Sequence, residues 1–340
     1  MSTIKQIAEL SGVSRGTVDR VIHNRGKVSP DIREKVLQTA KVLNYQPNKA
    51  GVMLSLRKQP HKIGALVPSV GNPFFDPLIE GFRQAASENS DLGFSLVLEC
   101  VKGFDREVHL ASLRKLCEED KCDGLVLATI DDDEIKQYLE KSGIPFIAVN
   151  SDISSPSKLC YVGPDYYGKG ALHAGLLSIT SDKMNRLLIL RGSEAMKGHG
   201  DIVRGFKETL EKKGICFSIA AECDTADDDD ISEATVREQI RKDPTINALF
   251  ISTAGISGAV KGTDGRDLLI FTSDDIPVTK ELVKSGRIKW TICQEPGRQG
   301  YEAVRRLQYW FIDNEKPDDL YTQHIIKLPE NIDEDYLSSY

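Results

Sequence analysis

The sequence predicts an α/β protein: a small three-helix head of helix-turn-helix type, joined to a larger two-lobed body of parallel sheets flanked by helices. Three observations lead there. Charge is split, with eleven Lys/Arg against four Asp/Glu in residues 1–60 (net +7) and 33 against 47 in the rest (net −14). Residues 1–46 are punctuated as three short helices, and residues 47–60 are polar, Pro-bounded linker with one apolar patch, Val52 to Leu54. From residue 61 onward ten apolar runs alternate with amphipathic stretches: IGALVP, FSLVLEC, GLVLAT, IPFIAVN, LCYVG, LLILRG, CFSIAA, ALFIS, LLIFTS and KWTICQ. Strands alternating with helices imply βαβ units and parallel sheets. Ten strands exceed one small sheet, so two similar lobes are expected, with strand ends facing a cleft where such sheets place ligands.

Each head element has a local cause. Thr3 caps a first helix, and Gln6 completes a capping box. Gly12 breaks the chain, and Ser14 caps a second helix running to about Ile22. Ser29 followed by Pro30 opens a third, because proline at the first helical position loses no hydrogen bond; it is expected to end near Asn44, before Pro47. Ala8, Gly12 and Val18 stand where a helix-turn-helix needs a small crossing residue, a turn tolerant of positive φ and an apolar anchor, with Ile7, Val13 and Val21 as further packing positions. A basic head on an acidic body suits a chain whose head alone meets phosphate.

In the body, SVGNPFFDPLIEGF follows the first strand and sets Asn72, Phe74 and Phe75 in the first βα loop. Asn150, Thr253, Asp274 and Gln294 close later strands, and His199 lies in the loop before the helix around Phe206. The acidic run Asp227–Asp230 is read as a helix opening. Seven scattered cysteines are expected to be buried thiols in a reducing compartment. MSTIKQIAEL lacks a signal-peptide core and no run reaches membrane-spanning length, so a cytoplasmic protein is expected. There is no phosphate-cradling glycine loop, metal-ligand spacing, nucleophile elbow or triad, so binding rather than catalysis is expected, without cofactor or metal.

The run TIKQIAELSGVSRGTVDRVIHNRGKVSPDIREKVLQTAKVLNYQPN resembles the head of the lactose-repressor (LacI/GalR) family almost end to end. The resemblance implies that the helix from Ser14 to Ile22 enters the major groove. Arg15 and Gly16 then fall at base-reading positions, with Arg20 near guanine or phosphate. Thr17, Asn24 and Tyr45 fall at backbone-contacting positions, and the capping residues Thr3 and Ser14 belong to the same DNA-facing set. Asp19 stands where the family usually has serine. Leu54 aligns with a leucine that the family wedges into the minor groove, although Gly51, Val52 and Met53 replace the usual Ala-Arg-Ser lead-in and Leu56 is a possible substitute.

Residues 62–325 resemble the periplasmic sugar-binding-protein fold (type I) that forms this family's body. The resemblance makes Asn72, Phe74, Phe75, Asn150, His199, Thr253, Asp274 and Gln294 ligand-facing. Two usual arginines are missing: Ile202 and Ser151 hold their places, with Arg204 one step away. The domain order implied is 1–46 head, 47–60 hinge, 61–327 effector body and 328–340 tail. The function implied is a DNA-binding transcriptional repressor controlled by a sugar- or polyol-like effector. A homodimer on a pseudo-palindromic operator is expected, since the acidic tail is too short for a tetramer-forming heptad helix.

Overall fold

The computed structural model describes residues 3–22, 28–43, 45, 60–180 and 184–334. The chain divides into two compact units, one holding the head together with residues 309–315 and the other holding both sheets.

The head packs α1 (Ile4–Ser11), α2 (Arg15–Ile22) and α3 (Pro30–Val42) around Ile7, Ala8, Val18, Val21 and Val36. The Thr3–Gln6 capping box forms in both directions, and Gly12 closes α1 at φ +69°. Thr17 N donates to Ser14 Oγ at 3.1 Å, so Ser14 caps α2. Pro30 opens α3, Ser29 makes no side-chain cap, and the helix ends at Val42 with Leu43 as its C-cap, close to the expected end.

The body begins with β1 (His61–Val67), α4 (Phe75–Glu88), β2 (Phe94–Cys100), α5 (Arg106–Arg114), β3 (Gly124–Leu127), α6 (Asp133–Ser142), β4 (Phe146–Val149) and β5 (Lys158–Pro164). The chain then crosses through α7 (Tyr166–Thr180) into β6 (Asn185–Arg191), α8 (Lys197–Lys212), β7 (Phe217–Asp224), α9 (Asp229–Lys242), β8 (Ala248–Ile251), α10 (Ile256–Lys261), β9 (Leu269–Ser273), α11 (Pro277–Lys284) and β10 (Thr291–Cys293). It returns through α12 (Pro296–Asp313) to β11 (Leu320–Thr322) and crosses again to β12 (Ile325–Lys327). The sheet orders are β11-β5-β4-β3-β1-β2 and β12-β10-β9-β8-β6-β7, the same arrangement twice. All pairings are parallel except β10 with β12. Three crossings therefore join the lobes, the arrangement that permits hinge motion.

Each lobe docks its first helix on a crossing helix through facing glycines. A Cβ on Gly81 of α4 would meet Gly297 O of α12 at 2.2 Å, and one on Gly300 would meet Leu78 O at 2.0 Å. Gly170 of α7 and Gly205 of α8 repeat this against Ile202 O and Tyr167 O, at 1.9 and 2.1 Å.

Two expectations need correction. The described residues hold twelve strands, not ten: β11 and β12 have three residues each, too short to show a period-two pattern. The cysteines are not uniformly buried. Cys100 ends β2 and Cys216 precedes β7, the edge strands of their sheets, and both are exposed; Cys117 and Cys223 are partly buried, and Cys122, Cys160 and Cys293 are buried. Asp228 caps α9, so the acidic run does open a helix.

Candidate functional site

The C-terminal strand ends of the two lobes border a cleft with about 600 Å³ of empty space, open solvent included. All eight residues expected there line it: Asn72, Phe74, Phe75, Asn150, His199, Thr253, Asp274 and Gln294. Asn150 follows β4 and Asp274 follows β9, equivalent strands of the two sheets. Both take left-handed backbone, at φ +63° and +68°, and Asp227 and Glu295 do the same at +59° and +56°. Asn and Asp tolerate that conformation best. Such strain concentrates at ligand clamps.

Five polar lining residues were not foreseen: Tyr166, Lys169, Asp227, Ser252 and Ser273. Lys169, only 1 % exposed, places Nζ 3.3 Å from Asp274 Oδ1, while Gln294 Nε2 donates to Asp274 Oδ2 at 3.2 Å. Burial raises the Asp274 carboxyl above its ordinary pKa, and Lys169 works against that rise. Burial also holds Tyr166 firmly protonated, so its phenol is a donor. Asp227 accepts from Asn72 Nδ2 at 3.0 Å, from Ala254 N at 3.2 Å and from Thr253 Oγ1. It therefore fixes two of the expected residues and ties one lobe to the other. Asn150 donates to Gln299 Oε1 at 3.2 Å, and its carbonyl accepts from Tyr161 at 2.7 Å. Ser193 N donates to His199 Nδ1 at 3.1 Å, which leaves the His199 proton on Nε2. Gln294 Oε1 is buried and has no hydrogen-bond partner among the described residues.

This set offers hydroxyl acceptors at Asp274 and Gln294, donors at Lys169 and Tyr166, and aromatic surface at Phe74, Phe75 and Phe104. Groups of this kind bind both faces of a polyhydroxylated ring. Ile202 presents an apolar side chain where the resemblance anticipated arginine, and Arg204 pairs with Asp201 at 2.8 Å outside the lining. Ser151 is buried, its Oγ without a hydrogen-bond partner among the described residues.

On the head, Arg15, Gly16 and Arg20 are exposed on α2, and Arg20 Nε donates to Gly16 O at 3.1 Å. Thr3 and Ser14 are exposed at their caps, while Thr17 and Tyr45 are partly covered. Burial, then the charge of Asp19, pushes the Tyr45 hydroxyl up. Asn24, Leu54 and Leu56 lie outside the described residues, as does nearly all of the 47–60 hinge. Among the described residues no helix is long and apolar enough to cross a membrane, and no cluster of three His, Cys, Asp or Glu is placed to hold a metal.

Comparison with known proteins agrees with this geometry. Residues 3–48 match the family model for bacterial regulatory proteins of the lacI family, and residues 63–309 match that for a periplasmic binding protein domain. The chain is 30 % identical to the ribose operon repressor of Halalkalibacterium halodurans, over 84 % of each chain. It is 27 % identical to catabolite control protein A of Priestia megaterium, over 97 % of each. Among solved structures, GanP, a glucose-galactose binding protein of Geobacillus stearothermophilus, superposes with a TM-score of 0.73 at 21 % identity, covering 81 % of this chain and 99 % of that one.

Proposed function

This chain belongs to the lacI family of bacterial regulatory proteins, and from that premise we propose a homodimeric repressor whose operator grip is set by a neutral sugar or polyol bound between the lobes. It is a sequence-specific DNA-binding transcriptional regulator. The observation that carries the effector assignment is the convergence of strand-end polar groups and aromatic rings on one cleft, in which every expected ligand-facing residue sits. Relatives named for a ribose operon and for glucose-galactose binding support the same chemistry. Neutrality follows from charge. Among the described residues no arginine lines the cleft, and its one lysine is engaged by Asp274. A uronate or sugar phosphate would thus lack a free cationic partner, and burying its charge unpaired is costly.

In this reading α2 sits in the major groove with Arg15 reading guanine. Thr17, Asn24 and Tyr45 hold the phosphates, Leu54 wedges the minor groove, and two heads span a pseudo-palindromic site. Effector closes the lobes, and the coupling to DNA is reciprocal. The test measures binding of the full chain to duplex DNA upstream of its own gene and to random duplex, across salt concentrations, with and without neutral sugars, polyols, uronates and sugar phosphates. Preferential, steeply salt-dependent binding that only neutral compounds modulate is expected. Equal affinity for random duplex under every condition would refute the reading.

A further inference from the structure

We propose that the loop 192–196, between β6 and α8, is a latch that fastens the second lobe directly to the first, with Met196 as its bolt. The loop belongs to the second lobe by chain and topology, since β6 precedes it and α8 follows. Met196 nevertheless has 3 % of its surface exposed and is part of the first lobe's hydrophobic core, grouped with Ile130, Ile135 and Ile153. Ala195 packs against the same cluster, and its carbonyl accepts from Asp131 N at 2.9 Å. The next residue, Lys197, extends Nζ to 3.3 Å from Asp152 Oδ2 of the first lobe. Phe104, from the loop after β2, meets His199 edge-on at 5.8 Å between ring centroids.

These contacts join residues that covalent connectivity does not hold together. The three crossings lie at residues 165–184, 294–319 and 323–324, and none includes this loop. Contacts of this kind exist only when the lobes are together, so they add stability to the closed arrangement alone. An unbranched thioether fills irregular apolar gaps well, and parting the lobes returns its apolar surface to water. Closure is thereby partly intrinsic to the chain, and the effector completes a balance already biased toward it. Raising the competent fraction raises apparent effector affinity in proportion. The regulatory consequence rests on the proposed effector-controlled reading; the latch itself does not.

Hydrogen exchange of the full chain, with no DNA and no sugar, tests the latch apart from that reading. The Asp131 amide reports latch opening, and the Leu125 amide, bonded to Pro145 O at 3.0 Å within the first lobe, reports global unfolding. In the wild type Asp131 is expected to exchange through an opening smaller and less urea-dependent than the one that frees Leu125, Met196→Ala to speed Asp131 exchange by about tenfold or more, and Met196→Leu to restore protection at Asp131. Unchanged Asp131 exchange in Met196→Ala overturns the proposal. Asp131 and Leu125 exchanging with one opening energy and one urea dependence in the wild type would also refute the latch, because a single global event would then free both.

Discussion

Lys169 and Asp274 form the ion pair on which the cleft's polarity depends, and their unequal exposure, 1 % against 22 % of the side chain, sets the consequences. Removing one partner leaves a buried charge uncompensated, whereas removing both leaves an apolar gap. Lys169→Met alone should therefore cost about 2 kcal/mol in urea unfolding, at the low end because Asp274 keeps some water. Lys169→Met with Asp274→Leu should recover most of that loss; a double variant as unstable as the sum of the singles would mean the pair is not coupled. On the head, Arg15→Ala should relax base preference within each half-site by about 1–3 kcal/mol. Equal weakening on all duplexes, measured over single-base operator variants, would reassign Arg15 to phosphate. The sequence shows Asn150, Asp274 and Gln294 because a polar residue closing an apolar run marks a strand end. Lys169 and Tyr166 come instead from a crossing helix, whose inward face depends on how the chain returns between lobes. Asp227 stands in a visible acidic run, but only its left-handed backbone turns it from helix opening to interlobe tie.

The crossing helices carry the element-scale constraints. Gly170→Ala puts a methyl 1.9 Å from Ile202 O, so α7 and α8 must separate. The expected cost is about 1–3 kcal/mol, read in the urea midpoint, and no loss would show that the helices part freely. The same helix buries His173, whose Nδ1 accepts from Trp290 Nε1 at 3.1 Å and whose Nε2 lies 3.4 Å from Ser273 Oγ. Burial holds it well below 6.5, with Lys169 and His324 pushing the same way, and burial lowers His109 and His324 as well. Unfolding lets these rings take up protons they lack when folded. Their contribution is therefore complete above pH 6.5 and shrinks as pH falls toward the folded values, by about 1.4 kcal/mol per pH unit for each ring. Asp274, raised by burial, acts oppositely at still lower pH. Thermal midpoints should drop between about pH 6.5 and 5.5, and His173→Gln should flatten that slope; an identical slope would remove His173 as a cause. The first ten strands were legible as apolar runs between helices. The paired glycines were not, because a glycine inside a helix says nothing of the backbone that will approach it.

The split of net charge, +7 over residues 1–60 and −14 over the rest, orders the molecule at its largest scale. An acidic body repels the phosphates that a basic head attracts, which orients encounter and keeps nonspecific affinity salt-sensitive. The head and the two sheets also have separate apolar cores. Two units with independent cores should melt independently, each responding only to the ligand it binds. A saturating effector, at about a hundred times its Kd, stabilises the unit that holds it by about 2.7 kcal/mol. For a body of this size that is roughly 5–10 °C in Tm. Calorimetry of the full chain should thus show two transitions: a neutral sugar identified by thermal-shift screening raises only the larger, and operator duplex raises the smaller. One transition moved equally by either ligand would mean that head and body unfold as a single unit, and that regulation is transmitted through a shared core.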